Sequence, residues 1–164
     1  MNKEINIRIA RYETARVHLI QAVRYLTGSI GYITAPETSN SYQQLKFDFI
    51  AKNKLVISRE GCSRTIYRNA KINRDARAWH DIIHLKENLN FSYKDEVKVA
   101  KIQQRQVISF LQQVGVDDKI AEDAGQLIYI DIAKQAEFYK MNNKFLYNQE
   151  AFVIEHFLGY LDTK

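Results

Sequence analysis

Cysteine, proline and glycine are scarce in this chain of 164 residues, which contains one Cys, one Pro and six Gly. The single cysteine, Cys62, excludes a disulfide within the chain and fits a reducing compartment. So few turn-forming residues argue against a β-sandwich or β-barrel and favour long helices. The chain is 46% hydrophobic and 26% charged, and we expect it to form one domain, residues 1–164, around a single core.

Long apolar runs are also missing. The N-terminal segment has early charges and no uninterrupted apolar stretch, so we expect no signal peptide. No window reaches the roughly 18 apolar residues that a transmembrane helix needs, and the expected location is the cytoplasm. The net charge of +5 is a mild basic bias. It permits binding to nucleic acid or to an acidic protein, and it equally fits a basic surface that aids solubility.

Helical periodicity covers most of the chain and predicts a mainly α protein, a single-domain helical bundle of about five helices. The predicted helices cover about residues 4–27, 73–88, 93–114, 117–139 and 149–161. Residues 29–44 are the most loop-like stretch and predict a long surface loop. Alternating apolar residues on both sides of a turn-like Lys-Asn-Lys predict a small β-hairpin near residues 44–58.

Two of the four histidines, His80 and His84, lie four residues apart on one predicted helix. This spacing puts both imidazoles on one helix face, where they can point at the same metal ion. Asp81 follows the first histidine. Glu96 falls in the first turn of the next predicted helix, where the helix dipole favours the ionised carboxylate that binds metal. The histidines also lie at the edge of an apolar stripe, which fits half-buried packing without a metal.

The pattern His80-Asp81-x-x-His84, followed by eleven residues and Glu96, resembles the zinc motif of the helical coenzyme Q biosynthesis family of the Coq-four type. The resemblance spans residues 80–96. It implies that His80, Asp81, His84 and Glu96 are the ligands of a Zn²⁺ ion, although other divalent metals accept similar donors. It also implies an all-helical fold, a prenylated quinone precursor as the substrate, and association with a membrane complex.

A basic segment leads into the histidine helix. Its candidate anion- or nucleic-acid-binding residues are Arg64, Arg68, Lys71, Arg74 and Arg77. Guanidinium groups match the geometry of phosphates. A solvated helix face explains the same charges without any ligand.

Two hypotheses of function follow. The first is a small zinc-binding helical protein that acts on an apolar or aromatic small molecule; as an enzyme it would be a metal-dependent lyase or hydrolase. The alternative is a non-catalytic accessory protein, of phage or plasmid type, that binds nucleic acid or a host protein through its basic surface. In that case the histidine motif is structural or vestigial. The sequence leaves the substrate and the oligomeric state open.

Overall fold

The structure is a computed structural model that describes residues 3–36, 38, 41–61 and 63–163, so Cys62 lies outside the described residues. Helices dominate it and confirm the predicted mainly α class. The helices are α1 (Lys3–Leu26), α2 (Tyr42–Lys52), α3 (Ala70–Glu87), α4 (Tyr93–Gln113), α5 (Asp118–Tyr129), α6 (Gln135–Asn142) and α7 (Gln149–Leu161). A five-residue π-helix, Ile130–Lys134, joins α5 to α6 without a break.

A small sheet is present, but it is not the predicted hairpin. Its two strands, β1 (Tyr32–Ala35) and β2 (Leu55–Ser58), run parallel, with Tyr32 opposite Leu55 and Ala35 opposite Ser58. The second strand lies within the predicted region. Its partner comes from the stretch 29–44 that was predicted to be a loop. Parallel strands need a crossover connection, and α2 provides it.

The prediction of strand for residues 45–50 was wrong because the alternating apolar residues do not all face inward. Tyr42 and Leu45 are buried, whereas Phe47 and Ile50 are 66% and 81% exposed. Burial at a spacing of three residues is helical. Ser41 caps the helix by accepting a hydrogen bond from the backbone N–H of residue 44, and such a cap fixes a helix start.

The main core lies between α1, α3, α4, α5 and α7, and its largest fully buried side chains include Tyr12, Leu19, Leu111 and Phe157. The helices α4 and α5 pack closely against each other at Gly125. A Cβ atom at Gly125 of α5 would lie only 2.5 Å from a side-chain carbon of Ile108. A second, smaller cluster fills the space between the sheet, α2 and α3. In the described part of the chain, no helix is both long and apolar enough to span a membrane.

Candidate metal centre

The helix α3 presents both histidines toward α4. It begins at residue 70, three residues earlier than predicted. Asn69 is its N-cap and accepts a hydrogen bond from the N–H of Ile72. His84 is fully buried, while the side chain of His80 is 22% exposed. The pair therefore spans the boundary between the interior and the solvent.

The turn between α3 and α4 is organised by His84 itself. Asn88 ends α3 in the left-handed conformation, with φ of +52°, which Asn tolerates better than most residues. The N–H of Leu89 donates to the carbonyl oxygen of His84 at 3.0 Å, and the carbonyl oxygen of Leu89 accepts from Nδ1 of His84 at 3.0 Å. Ser92 then caps α4 by accepting from the N–H of Asp95.

This turn places Glu96, in the first turn of α4, opposite the two histidines. One carboxylate oxygen lies 3.2 Å from Nε2 of His80 and the other lies 3.4 Å from Nε2 of His84. The two Nε2 atoms are 2.9 Å apart. Among the described residues, these three side chains form a group whose ligand atoms all lie within 4.8 Å of one another. The predicted convergence of His80, His84 and Glu96 is therefore present in the fold.

The far nitrogens of both rings are already engaged. Nδ1 of His84 faces the backbone carbonyl of Leu89, so it must carry a proton, since a carbonyl can only accept. Nδ1 of His80 lies 3.1 Å from the amide oxygen of Gln103 and donates to it in the same way. In the neutral rings this leaves both Nε2 atoms as lone-pair donors that face each other and a carboxylate. Three Lewis bases at this separation need a positive charge between them.

In the metal-free protein a proton provides that charge. Burial lowers the pKa of His80, but the Glu96 carboxylate outweighs burial and raises this pKa to about 9. Burial acts in the opposite direction on Glu96, and the facing histidines nevertheless hold the pKa of its carboxyl group well below the ordinary range. At neutral pH the site therefore contains an imidazolium ring and a carboxylate.

Asp81 lies beside this group but does not belong to it. Its carboxylate is not among the ligand atoms that lie within 4.8 Å of one another. Burial raises the pKa of Asp81 to about 6 and outweighs the opposing effect of the neighbouring histidines. Adjacent residues on a helix point about 100° apart, which is why Asp81 does not share the direction of His80.

Two partners of the site were not found from the sequence, the Leu89 carbonyl and Gln103. Gln103 has a recognisable signal. It lies on the apolar stripe of α4 that also contains Val99 and Val107, and it is fully buried. It is also seven residues after Glu96, and residues at this spacing lie on the same helix face. A glutamine on an apolar stripe, on the same helix face as a candidate ligand, therefore predicts a residue that contacts the candidate ligands.

Two of the five basic candidates, Arg64 and Arg68, precede α3, and the other three lie within it. Arg68 pairs with Glu13 at 2.8 Å and also with Glu150, and it thereby ties α1 to α7. Lys71 pairs with Asp75 one turn further along α3 at 2.7 Å. Carboxylates of the chain itself therefore neutralise these two cations.

The other three candidates also have partners within the chain. The guanidinium of Arg64 lies 4.5 Å from the ring centre of Tyr147, and the charge of Arg74 acts on the hydroxyl of Tyr32 in β1. Arg77 donates to the backbone carbonyls of residues 60–61 at 2.8 and 3.0 Å. The structure thus gives each of the five residues a local structural role, and the nucleic-acid hypothesis stays a prediction.

A large groove lies on a different face of α3. It has a volume of about 810 Å³, and its lining includes Trp79, Ile82 and Ile83 together with Tyr25 and Phe110. None of the three converging side chains lines it. The groove therefore does not mark a substrate site at the candidate metal centre.

Comparisons of the chain with protein-family models, with curated proteins and with solved structures gave no match. The resemblance of residues 80–96 to the Coq-four-type motif accordingly stays a prediction that rests on its spacing.

Proposed function

We propose that the protein binds one divalent metal ion, Zn²⁺ in the first instance, through Nε2 of His80, Nε2 of His84 and the carboxylate of Glu96. The observation that carries this proposal is the convergence of the three side chains. The two Nε2 atoms are 2.9 Å apart, one oxygen of Glu96 lies 3.2 Å from Nε2 of His80 and the other lies 3.4 Å from Nε2 of His84, and one ligand atom from each residue lies within 4.8 Å of the other two. Donors about 2.0–2.1 Å from a tetrahedral zinc ion lie about 3.3 Å apart. The metal-free site therefore needs only small side-chain shifts to accept the ion.

The donor set fits the chemistry of zinc. Two neutral imidazoles and one carboxylate, with one position left for water or substrate, are the ligands of a familiar class of catalytic zinc sites. The same three donors also suit Fe²⁺ when three positions stay open. His84 is buried, whereas His80 and Glu96 are partly exposed, so solvent can reach the site from one side. The open coordination position of the ion would face that side.

When bound, the ion would supply Lewis acidity and an activated water. The residues of the chain would orient the ligands and keep one side of the site dry, because Phe91 packs edge-on against the ring of His84 at 4.9 Å. We propose that Asp81 acts on the site through its charge rather than as a ligand, since its carboxylate lies outside the converging group. A small apolar or aromatic molecule remains the proposed substrate class, and a lyase or hydrolase reaction the proposed chemistry.

The test is metal stoichiometry and affinity. Purified protein, stripped with a chelator and dialysed against Zn²⁺, should retain one ion per chain, and His80→Ala and Glu96→Gln should each lose it. The matched control is His156→Ala, because His156 lies on α7, outside the converging group, and its Nδ1 bonds the backbone carbonyl of Phe152 in the same helix. Retention of zinc by the two site variants at the level of this control would overturn the proposal. The three groups would then form a structural ion pair.

A further inference from the structure

We propose that Gln103 is a positioning residue that fixes the ring orientation and the tautomer of His80, so that Nε2 is the nitrogen offered to the metal. This inference rests on the proposed metal site and deepens it. Gln103 lies on α4, two turns after Glu96, and its amide oxygen is 3.1 Å from Nδ1 of His80. One helix therefore supplies both a ligand and the group that orients another ligand.

The two histidines are oriented by chemically different partners. A backbone carbonyl, such as that of Leu89 at His84, can only accept a hydrogen bond. A glutamine side chain can present either its oxygen or its nitrogen. With the oxygen toward His80, Nδ1 carries the proton and Nε2 is free to bind metal. With the nitrogen toward His80, the proton would move to Nε2 and block the ligand.

The other end of the same amide costs the fold stability. Gln103 is fully buried, and its Nε2 has no hydrogen-bond partner among the residues that the structure describes. A buried amide group left unpaired destabilises a fold. Packing would be satisfied by an apolar side chain of similar length at this position of the α4 stripe. Within the described part of the chain, the contact with His80 is the one hydrogen bond that the buried amide makes, and it is directed at the proposed metal site.

The adjacent turn of α4 offers a matched control. The amide oxygen of Gln106 accepts a hydrogen bond from the ring nitrogen of Trp79 at 2.9 Å. Gln103 and Gln106 therefore make the same kind of contact, from one helix to ring nitrogens of the other. Only the contact of Gln103 involves a proposed ligand.

The experiment compares zinc affinity, by chelator competition, in the wild type and in the variants Gln103→Met, Gln103→Glu and Gln106→Met. Loss of a group that orients a ligand typically weakens metal binding by about 10–100-fold. We expect such a loss for Gln103→Met and a change below about twofold for Gln106→Met. Gln103→Glu should keep wild-type affinity or exceed it, because it keeps an oxygen acceptor for Nδ1. In the zinc-loaded wild type, ¹⁵N NMR should show a protected proton on Nδ1 of His80, and Gln103→Met should lose that protection.

The outcomes separate the two proposals. If the wild type binds no zinc, the metal site itself is refuted. If the wild type binds zinc, and a folded Gln103→Met binds it equally well with Nε2 still coordinated, the metal site stands and the role of Gln103 is refuted. Folding of Gln103→Met is checked by thermal unfolding of the metal-free protein. If Gln103→Met does not fold, Gln103→Glu provides the test instead. A zinc affinity of Gln103→Glu about 10–100-fold below that of the wild type would overturn the inference.

Discussion

Replacement of Glu96 by Gln removes the charge that sets the protonation state of the whole site. In the metal-free wild type the pKa of His80 is raised to about 9, because the Glu96 carboxylate outweighs the lowering effect of burial. Without that carboxylate, burial should return the pKa of His80 to its ordinary value of about 6.5 or below. The difference corresponds to about 3 kcal/mol of stabilisation of the protonated ring.

The same difference makes stability depend on pH. Because the pKa of His80 is higher in the folded than in the unfolded protein, its contribution is fully present below pH 6.5 and is lost as the pH rises through 9. The free energy of unfolding of metal-free wild type, measured relative to Glu96→Gln, should therefore decrease over this interval. In the variant this source of pH dependence is absent.

The assay is an NMR titration of the histidine ring protons in metal-free protein, with urea unfolding at pH 6 and pH 9. Asp95→Asn is the matched control, because it removes a carboxylate from the same first turn of α4, and Asp95 pairs with Lys98 rather than with a histidine. The control should leave the pKa of His80 near 9. A wild-type pKa near 6.5, or equal values in wild type and Glu96→Gln, would refute the reasoning.

Three further predictions concern the rest of the fold. Gly125→Ala should destabilise the protein by about 1–3 kcal/mol in urea unfolding, because its Cβ would lie 2.5 Å from Ile108 and force α4 and α5 apart. Burial raises the pKa of Asp131 to about 6. Its contribution to the free energy of unfolding is therefore present near pH 4 and is lost as the pH rises through 6. In urea unfolding at several pH values, Asp131→Asn should remove this pH-dependent loss of stability. Since Arg68 pairs with carboxylates of α1 and α7, Arg68→Ala should lower the melting temperature measured by thermal unfolding.

The convergence of His80, His84 and Glu96 could be predicted from the sequence because local rules determine most of it. The spacing of His80 and His84 fixes their common helix face, and the Ser92 cap fixes where α4 begins and hence the position of Glu96. Asp81 was grouped with the ligands on the basis of the motif. Its placement depends on the direction of one side chain relative to another helix, which sequence spacing alone does not specify.

The sheet could not be predicted because its pairing is not local. The parallel partner of Leu55 is Tyr32, more than twenty residues earlier, and turn signals predict hairpins between neighbouring segments only. The contact between Gln103 and His80 joins two helices in a similar way. A buried polar residue on an apolar stripe indicates that a partner exists, but its identity requires the packing of α3 against α4.

The most direct test of the central claim is the location of the ion. Crystals of the protein grown with one equivalent of Zn²⁺ should be measured on both sides of the zinc absorption edge. One anomalous peak is expected about 2.0–2.2 Å from Nε2 of His80, Nε2 of His84 and a carboxylate oxygen of Glu96. A zinc-saturated crystal with no peak between these three side chains, or with His80 and Glu96 still paired to each other around an empty centre, would contradict the account.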